Sequence, residues 1–447
     1  MRTRANDRSG AGAAPQMQAA RPFRWIVSQE GSRESYSVPL SFRRLNMLRL
    51  FYADIWCRLG RGILRHGPAG TRALATRFHS DIPRDQVISF SWAAILDRAA
   101  LHFQRRRYSP AELGDHYCRF GRWFARRVRE HLKTLELEPQ RDLFFGFNTN
   151  CLETLELLED RRVFAVVDQV DAARVHEEMV LAEAELWPGW APAPGRMPES
   201  YWARLKAEWA AADLVLVNSE WSASALVRQG VPRAKIITVP LAIDLSQDQE
   251  LEPVTPSGTL RVLWLGSVVL PKGIQYLVQA ARLLQGQDIE FLVAGPIRIS
   301  HRAVQTFPPN MKLLGRVTRD KLGEVYRQAH VFVLPTISDN FPMTQLEAMA
   351  HGLPVVITPN CGRAVTDGAD GFIVPARDGQ ALADALARLH NDRPLLREMS
   401  RSALTTVRKY DLPSNAILIN NEVAKHHPLW RSDATNENHH LGHQLLA

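Results

Sequence analysis

From Arg261 onward, short apolar runs alternate with amphipathic stretches, and this alternation limits the fold more than any other feature of the chain. Residues 262–266, 289–294, 311–314, 331–335, 355–358 and 372–375 read as strands, with helices at 274–284, 319–328 and 379–390 and one more carrying Glu347. Strands separated by helices rather than by tight turns pair in parallel. The expected class is α/β, with a doubly wound parallel sheet covered by helices on both faces.

The first half shows weaker apolar runs at 23–27, 143–147, 163–167, 214–217 and 236–239, which imply a second sheet domain of the same kind. A chain of 447 residues, 45% of them apolar, has material for two such cores. The expected division is a disordered tail at 1–20, an N-terminal domain at 21–245, a linker at 246–258, a C-terminal domain at 259–409, a helix at 410–427 crossing back to the first domain, and a disordered tail at 428–447. The linker is polar and contains Pro253 and Pro256.

Cys57, Cys118, Cys151 and Cys361 are scattered without metal-ligand or disulfide spacing and read as free thiols. His439, His440 and His443 fall in the polar tail and are not taken as a metal site. No signal peptide and no membrane-length apolar run is present, so the expectation is a cytoplasmic protein. Charge is uneven: residues 21–133 carry 22 Arg and Lys against 9 Asp and Glu, whereas residues 134–447 carry 30 against 37. A basic first half suits an anionic membrane face or a phosphorylated partner. It lacks the motifs and aromatic platform of a nucleic-acid binder, and no nucleic acid is expected as a partner.

Ligands of open parallel sheets bind beyond the C-terminal ends of the strands, and three loops there carry the chemistry. After the first strand of the C-terminal domain, Gly266 and Ser267 lead to Lys272 at a helix start, a place for an anion. The alternative is an exposed lysine before a capping glycine. Gly315-Arg316-Val317-Thr318 follows a short strand and presents backbone groups to a flat ring, or is an ordinary turn. In the third loop Asp339 precedes the helix of Glu347, with Pro342 at its start and Gly352 at its end. The amides of Asn340, Phe341, Met343, Thr344 and Gln345 at that helix start offer donors to phosphate or sugar oxygens. Glu347 is the only acidic residue from Met343 to Val356, so its carboxylate requires a strong partner, either a bound polyol or a structural cation. Asp339 has the alternative role of N-cap.

The order Gly266-Ser267-x4-Lys272-Gly273, Gly315-Arg316-Val317, Pro335-x3-Asp339-x7-Glu347-Ala-Met-Ala-x-Gly-Leu-Pro-Val-Val and Asp367-Gly-x-x-Gly371-x-x-Val374-Pro375 resembles the GT4 family of retaining glycosyltransferases. The resemblance covers residues 260–405, and residues 200–244 look like that family's crossing between domains. It implies the GT-B fold, two facing Rossmann-like domains with a nucleotide-sugar donor on the C-terminal one. By the same resemblance Glu347 grips the ribose and Lys272 the diphosphate. Arg316 and Val317 face the base, while Asp339 and the amides after it face the sugar. Asp339 and Lys272 are the expected catalytic residues. No metal and no cofactor besides the donor are implied. Two departures stand out: the family usually has Glu at the position of Asp339, and often Arg at that of Ser267. Arg316 or Arg298 is the candidate replacement cation.

On the N-terminal side the expected acceptor residues are Gly31 and Arg33 in the loop after the first strand, with Asp168 and His176 after another. Residues 120–133 form a basic amphipathic helix with Phe120, Trp123, Phe124, Val128 and Leu132 on one face. That face either packs into the core or lies on an anionic membrane. The expected activity is transfer of a sugar from a nucleoside diphosphate to a glycan or lipid-linked acceptor, on the inner face of the plasma membrane if the acceptor is lipid-linked. The alternatives are a GT-B sugar-nucleotide epimerase and a degenerate, non-catalytic nucleotide- or carbohydrate-binding protein.

Overall fold

A computed structural model describes residues 23–58, 60–67, 69–104, 109–245, 253–254 and 258–428. The expected tails, the three tail histidines and most of the linker lie outside the described residues.

Two all-parallel sheets organise the chain. The N-terminal sheet contains β1 (Arg24–Gln29), β2 (Leu48–Ala53), β3 (Val87–Ser89), β4 (Asp142–Phe147), β5 (Ala165–Asp168), β6 (Leu214–Val217) and β7 (Ile236–Thr238), in the order β3-β2-β1-β4-β5-β6-β7. The C-terminal sheet contains β8 (Leu260–Leu265), β9 (Ile289–Ala294), β10 (Met311–Gly315), β11 (Val331–Leu334), β12 (Val355–Ile357) and β13 (Gly371–Ile373), in the order β10-β9-β8-β11-β12-β13. The central strands are largely apolar because helices bury both faces, as in the wholly buried runs of β4 and β11.

Strand order reverses between β1 and β4 in one sheet and between β8 and β11 in the other. At such a switch the flanking loops diverge to opposite faces and leave a crevice. The site is built on those loops.

Several elements were not legible in the sequence, among them β2, β3 and the helix Arg393–Val407. β2 follows the helix Ser37–Arg44 after a short turn, and β3 is a three-residue edge strand, too short to show a period. The helix Arg393–Val407 follows Gly379–Asn391 with only Asp392 between, where Pro394 opens its first turn.

The chain leaves the N-terminal domain beside the point where it returns. Ile243 N–H donates to Tyr410 O at 2.9 Å, and Asn415 Nδ2 donates to Pro240 O at 2.8 Å. The last helix, Leu412–Ala424, then packs Leu412, Ala416, Ile419 and Val423 into the N-terminal core against Ser37–Arg44.

The amphipathic helix is longer than its stripe suggests, Pro110–Lys133, and opens with a capping box between Ser109 and Glu112. Its apolar face is not available to a membrane: Phe120, Phe124, Val128 and Leu132 are buried in the core. Among the described residues no helix is long and apolar enough to cross a membrane.

Candidate active site at the interdomain cleft

The loops after β8 and β11 meet over the C-terminal switch point. Thr336 Oγ1 and Ile337 N–H both donate to Pro271 O, at 2.8 and 3.0 Å. Gly273 makes this approach possible: its φ is 74°, and a Cβ there would stand 1.8 Å from Pro335 O. The same contact brings Lys272 Nζ onto Asp339 Oδ2 as an ion pair, each side chain partly exposed to the cleft. Two residues 67 apart in the chain thus form one unit. The lysine expected to hold an anion thus holds a carboxylate of the protein itself.

Asp339 is not a helix cap. Its Oδ1 accepts from the Asn340 amide at 3.0 Å, and its own amide donates to Asn360 O at 3.0 Å. The helix Met343–Ala350 starts one residue later than expected, with Pro342 at the N-cap and no side-chain cap. Asn340 N–H and Gln345 N–H already have acceptors, the latter in Pro342 O at 3.1 Å. Of the amides expected to serve a ligand, those two are therefore committed to the protein.

Two expected donor contacts need correction at the side-chain level. Asn340 is buried between the domains, taking a hydrogen bond from Ser222 Oγ at 2.7 Å and giving one to Asn218 Oδ1 at 2.7 Å. Phe341 is buried in the C-terminal core beneath Gly362 and Tyr410. Neither side chain faces a ligand. Met343 and Thr344 remain half-buried at the helix start.

Glu347 is half-buried and is not held by the structural cation that was one alternative for it. Its Oε2 accepts from Tyr326 Oη at 2.7 Å, and no salt bridge reaches it among the described residues. Burial, and then the carboxylate itself, push the Tyr326 hydroxyl well above its ordinary pKa, so it stays a donor. One carboxylate oxygen is thereby oriented while the other keeps its accepting capacity.

The remaining C-terminal positions are peripheral to this unit. Gly266 closes β8 with a hydrogen bond to Ala294 O at 3.0 Å, and Ser267 is exposed. Arg316 is exposed beyond the edge strand β10, while Val317 packs partly against the core. Arg298 lies beside the first loop, its amide 3.1 Å from Val268 O.

Across the cleft, His176 of the helix Arg174–Leu186 puts Nδ1 3.0 Å from Oγ of Ser338, the residue before Asp339. The register of β1, β4 and β5 sets Ser28 beside Gly146 and Phe147 beside Asp168. At these strand ends Ser28 Oγ, Gln29 Oε1, Asn148 Oδ1 and Asp168 Oδ1 are buried with no hydrogen-bond partner among the described residues. Buried polar groups without partners are rare and call for an explanation. Burial, and then the nearby Glu34 carboxylate, hold the Asp168 carboxyl well above the usual range.

The loop over this cluster is strained. Glu34, Ser35 and Tyr36 have φ of 43°, 57° and 71°, three successive residues where glycine would be expected. Gly31 N–H is anchored on Asp54 Oδ1 at 3.0 Å, and the Arg33 guanidinium lies 5.7 Å from the Phe147 ring centre. Ser35 Oγ accepts from Arg319 of the C-terminal domain at 2.8 Å, so the loop joins the cleft.

A further interdomain group escaped sequence reading. Glu183, fully buried, accepts from Gln275 Nε2 at 2.8 Å, Tyr276 Oη at 2.5 Å and Arg377 Nε at 2.7 Å. It stands among four other carboxylates in residues 171–185, and nothing local distinguishes it.

Residues 259–392 match the family model described as glycosyl transferases group 1. That segment makes up most of the C-terminal domain. The chain is 30% identical over 213 residues to D-inositol 3-phosphate glycosyltransferase of Paenarthrobacter aurescens, a match covering 43% of this chain and 52% of that protein. It is 28% identical over 190 residues to the putative colanic acid biosynthesis glycosyltransferase WcaL of Escherichia coli, covering 39% and 47%. The match thus spans about half the length of these relatives.

Likeness to solved structures extends over both domains. Anabaena HepE, in complex with UDP and glucose, superposes with a TM-score of 0.55 at 13% identity, over 90% of this chain and 100% of that one. Sucrose-phosphate synthase of Thermosynechococcus elongatus gives 0.58 at 17%, over 92% and 100%. The two domains together have the GT-B fold.

Proposed function

We propose that the chain is a retaining, metal-independent glycosyltransferase of the GT4 type, moving a hexose-type sugar from a nucleoside diphosphate to a glycan or lipid-linked acceptor in polysaccharide biosynthesis. The observation that carries this is the Lys272–Asp339 pair across the switch point, beside an uncapped helix N-terminus and a Glu347 held by Tyr326. A uridine nucleotide is the first donor to test, since HepE was solved with UDP and glucose.

In this reading the donor diphosphate displaces Asp339 from Lys272. Breaking the bond between the anomeric carbon and the phosphate oxygen leaves negative charge on the diphosphate and positive charge on the sugar. Lys272 and the Met343 and Thr344 amides stabilise the first, without a metal ion. Asp339, released, stabilises the second. Glu347 accepts hydrogen bonds from the ribose hydroxyls with its unused capacity. The acceptor hydroxyl enters from the N-terminal side, where His176 and the unpartnered polar ends of β1, β4 and β5 supply hydrogen bonds. Its proton passes to the departing phosphate oxygen on the same face of the sugar, which retains the anomeric configuration.

The test is turnover with UDP-, GDP- and ADP-sugars. Lys272→Ala and Glu347→Ala are each expected to lower donor hydrolysis and transfer by about 100-fold or more. Full turnover in both variants overturns the assignment.

We place the enzyme in the cytoplasm with a peripheral membrane contact. The support is three large apolar side chains on the basic half, Ile63, Trp92 and Leu96, exposed at 83, 84 and 71%. Flotation with vesicles containing phosphatidylglycerol is expected to fall when Trp92 and Leu96 are both changed to Ser. Equal flotation of that variant removes the membrane contact.

A further inference from the structure

Apart from the cleft between Lys272 and Glu347, a groove of about 690 Å³ is lined by the helices Arg174–Leu186, Glu199–Ala211 and Glu220–Arg228, together with Arg377 of the C-terminal domain. Its volume lies within the range of small-molecule sites.

Hydrogen-bond donors dominate its lining. The Arg174 guanidinium lies 5.4 Å from the ring centre of Trp202, and that of Arg228 lies 5.7 Å from the ring centre of Trp221. An arginine held beside an indole loses less freedom on binding and keeps N–H groups for a planar anion. Arg174 and Arg377 have carboxylate partners in Glu199 and Glu183. Lys206 and Arg228 form no salt bridge with a described residue, and both are exposed. The indole N–H of Trp221 is buried with no acceptor among the described residues. The lone acid in the wall is Glu178, against four cations. Val175, Met179 and Ala182 add apolar surface along one side.

We propose that this groove binds an acidic saccharide, one bearing carboxylate or phosphate, as a part of the acceptor lying outside the cleft; this rests on the glycosyltransferase reading. Unpaired cations beside an indole N–H recognise an oxygen-rich anion, and the aliphatic wall takes the C–H face of a pyranose. Position supports the assignment. The helix Arg174–Leu186 turns one face to the groove, while its neighbouring face carries His176, which touches Ser338 beside Asp339. A chain lying in the groove therefore runs along the helix that begins at the reacting centre.

The experiment is calorimetric titration of the whole chain with trigalacturonic acid and glucose 6-phosphate, with maltotriose, inorganic phosphate and a short polyglutamate peptide as comparisons. UDP binding and UDP-sugar hydrolysis are measured in parallel. The acidic saccharides are expected to bind, and Lys206→Ala and Arg228→Ala to weaken them about tenfold each, with unchanged thermal midpoint and UDP affinity. Both positions are exposed, so the variants keep the fold.

Four results overturn the groove: neither saccharide binds; the variants bind as tightly as the parent; maltotriose binds as well as the charged sugars; or phosphate or polyglutamate matches them. Any of these with UDP binding and hydrolysis intact leaves the glycosyltransferase reading standing. Saccharide binding lost in Arg228→Ala, in a protein that neither binds a nucleoside diphosphate nor turns over any donor, supports the groove as a site and removes the transferase reading.

Discussion

Asp339 is one methylene shorter than the Glu usual in the family it resembles, and here it reaches Lys272 across the two loops. A carboxylate on the lysine opposes an incoming diphosphate. Replacing it with an amide removes that competitor, so Asp339→Asn is expected to tighten nucleoside diphosphate binding several-fold by calorimetry while transfer falls. Unchanged affinity means that the pair does not control the anion site. Asp168 gives a residue-scale prediction with a defined sign. Its folded pKa is raised, first by burial and then by Glu34, whereas an unfolded Asp titrates near 4. The native state therefore holds a proton that the unfolded state has lost, and its stabilising effect disappears as pH rises from about 4 through the folded pKa. In Asp168→Asn this loss is absent. The thermal midpoint of the variant relative to the parent should climb with pH, and a pH-independent difference refutes the buried, unpaired state of this carboxyl.

At the scale of elements, the close approach of the loops after β8 and β11 depends on one glycine. Gly273→Ala forces a Cβ against Pro335 O in a left-handed conformation. Gly286 also has positive φ, but nothing lies within 4 Å of its Cβ position. The strain alone makes Gly286→Ala cost about 1 kcal/mol, whereas Gly273→Ala should cost at least about 2 kcal/mol more and weaken nucleotide binding as well. Denaturant melts of both variants decide this, and equal losses would show that the loops are not held together there. The helix Arg174–Leu186 acts as a brace. Its Glu183 collects three donors from the C-terminal domain, and the turn after it gives Trp190 O to Ser300 N–H at 2.6 Å.

For the whole molecule, those contacts set how the two sheets face one another. Glu183→Ala leaves the Tyr276 hydroxyl and Arg377 Nε without their acceptor and Gln275 Nε2 with Leu270 O alone, at about 1–3 kcal/mol for buried donors left unsatisfied. The expected readout is a larger radius of gyration in small-angle scattering together with faster proteolysis between the domains; an unchanged radius and cleavage rate would mean the other interdomain contacts suffice. The sequence by itself determined the parallel α/β class, nearly every strand of the C-terminal sheet, and the motif from Asp339 to Glu347. Each depends on local periodicity or on helix-end chemistry, which a short window contains. The C-terminal domain was more legible than the N-terminal one because its strands are apolar runs between well-marked helices, while β2 and β3 lack such borders. Tertiary structure alone decided that Lys272 meets Asp339, that Tyr326 orients Glu347, and that the Asn340 and Phe341 side chains turn away from the cleft. It alone gathered Glu183 with its partners, and the polar ends of β1, β4 and β5 under the strained loop. These depend on contacts between segments far apart in the chain, and on which face of a loop or helix is covered; packing of the two domains fixes both, and no local pattern encodes either.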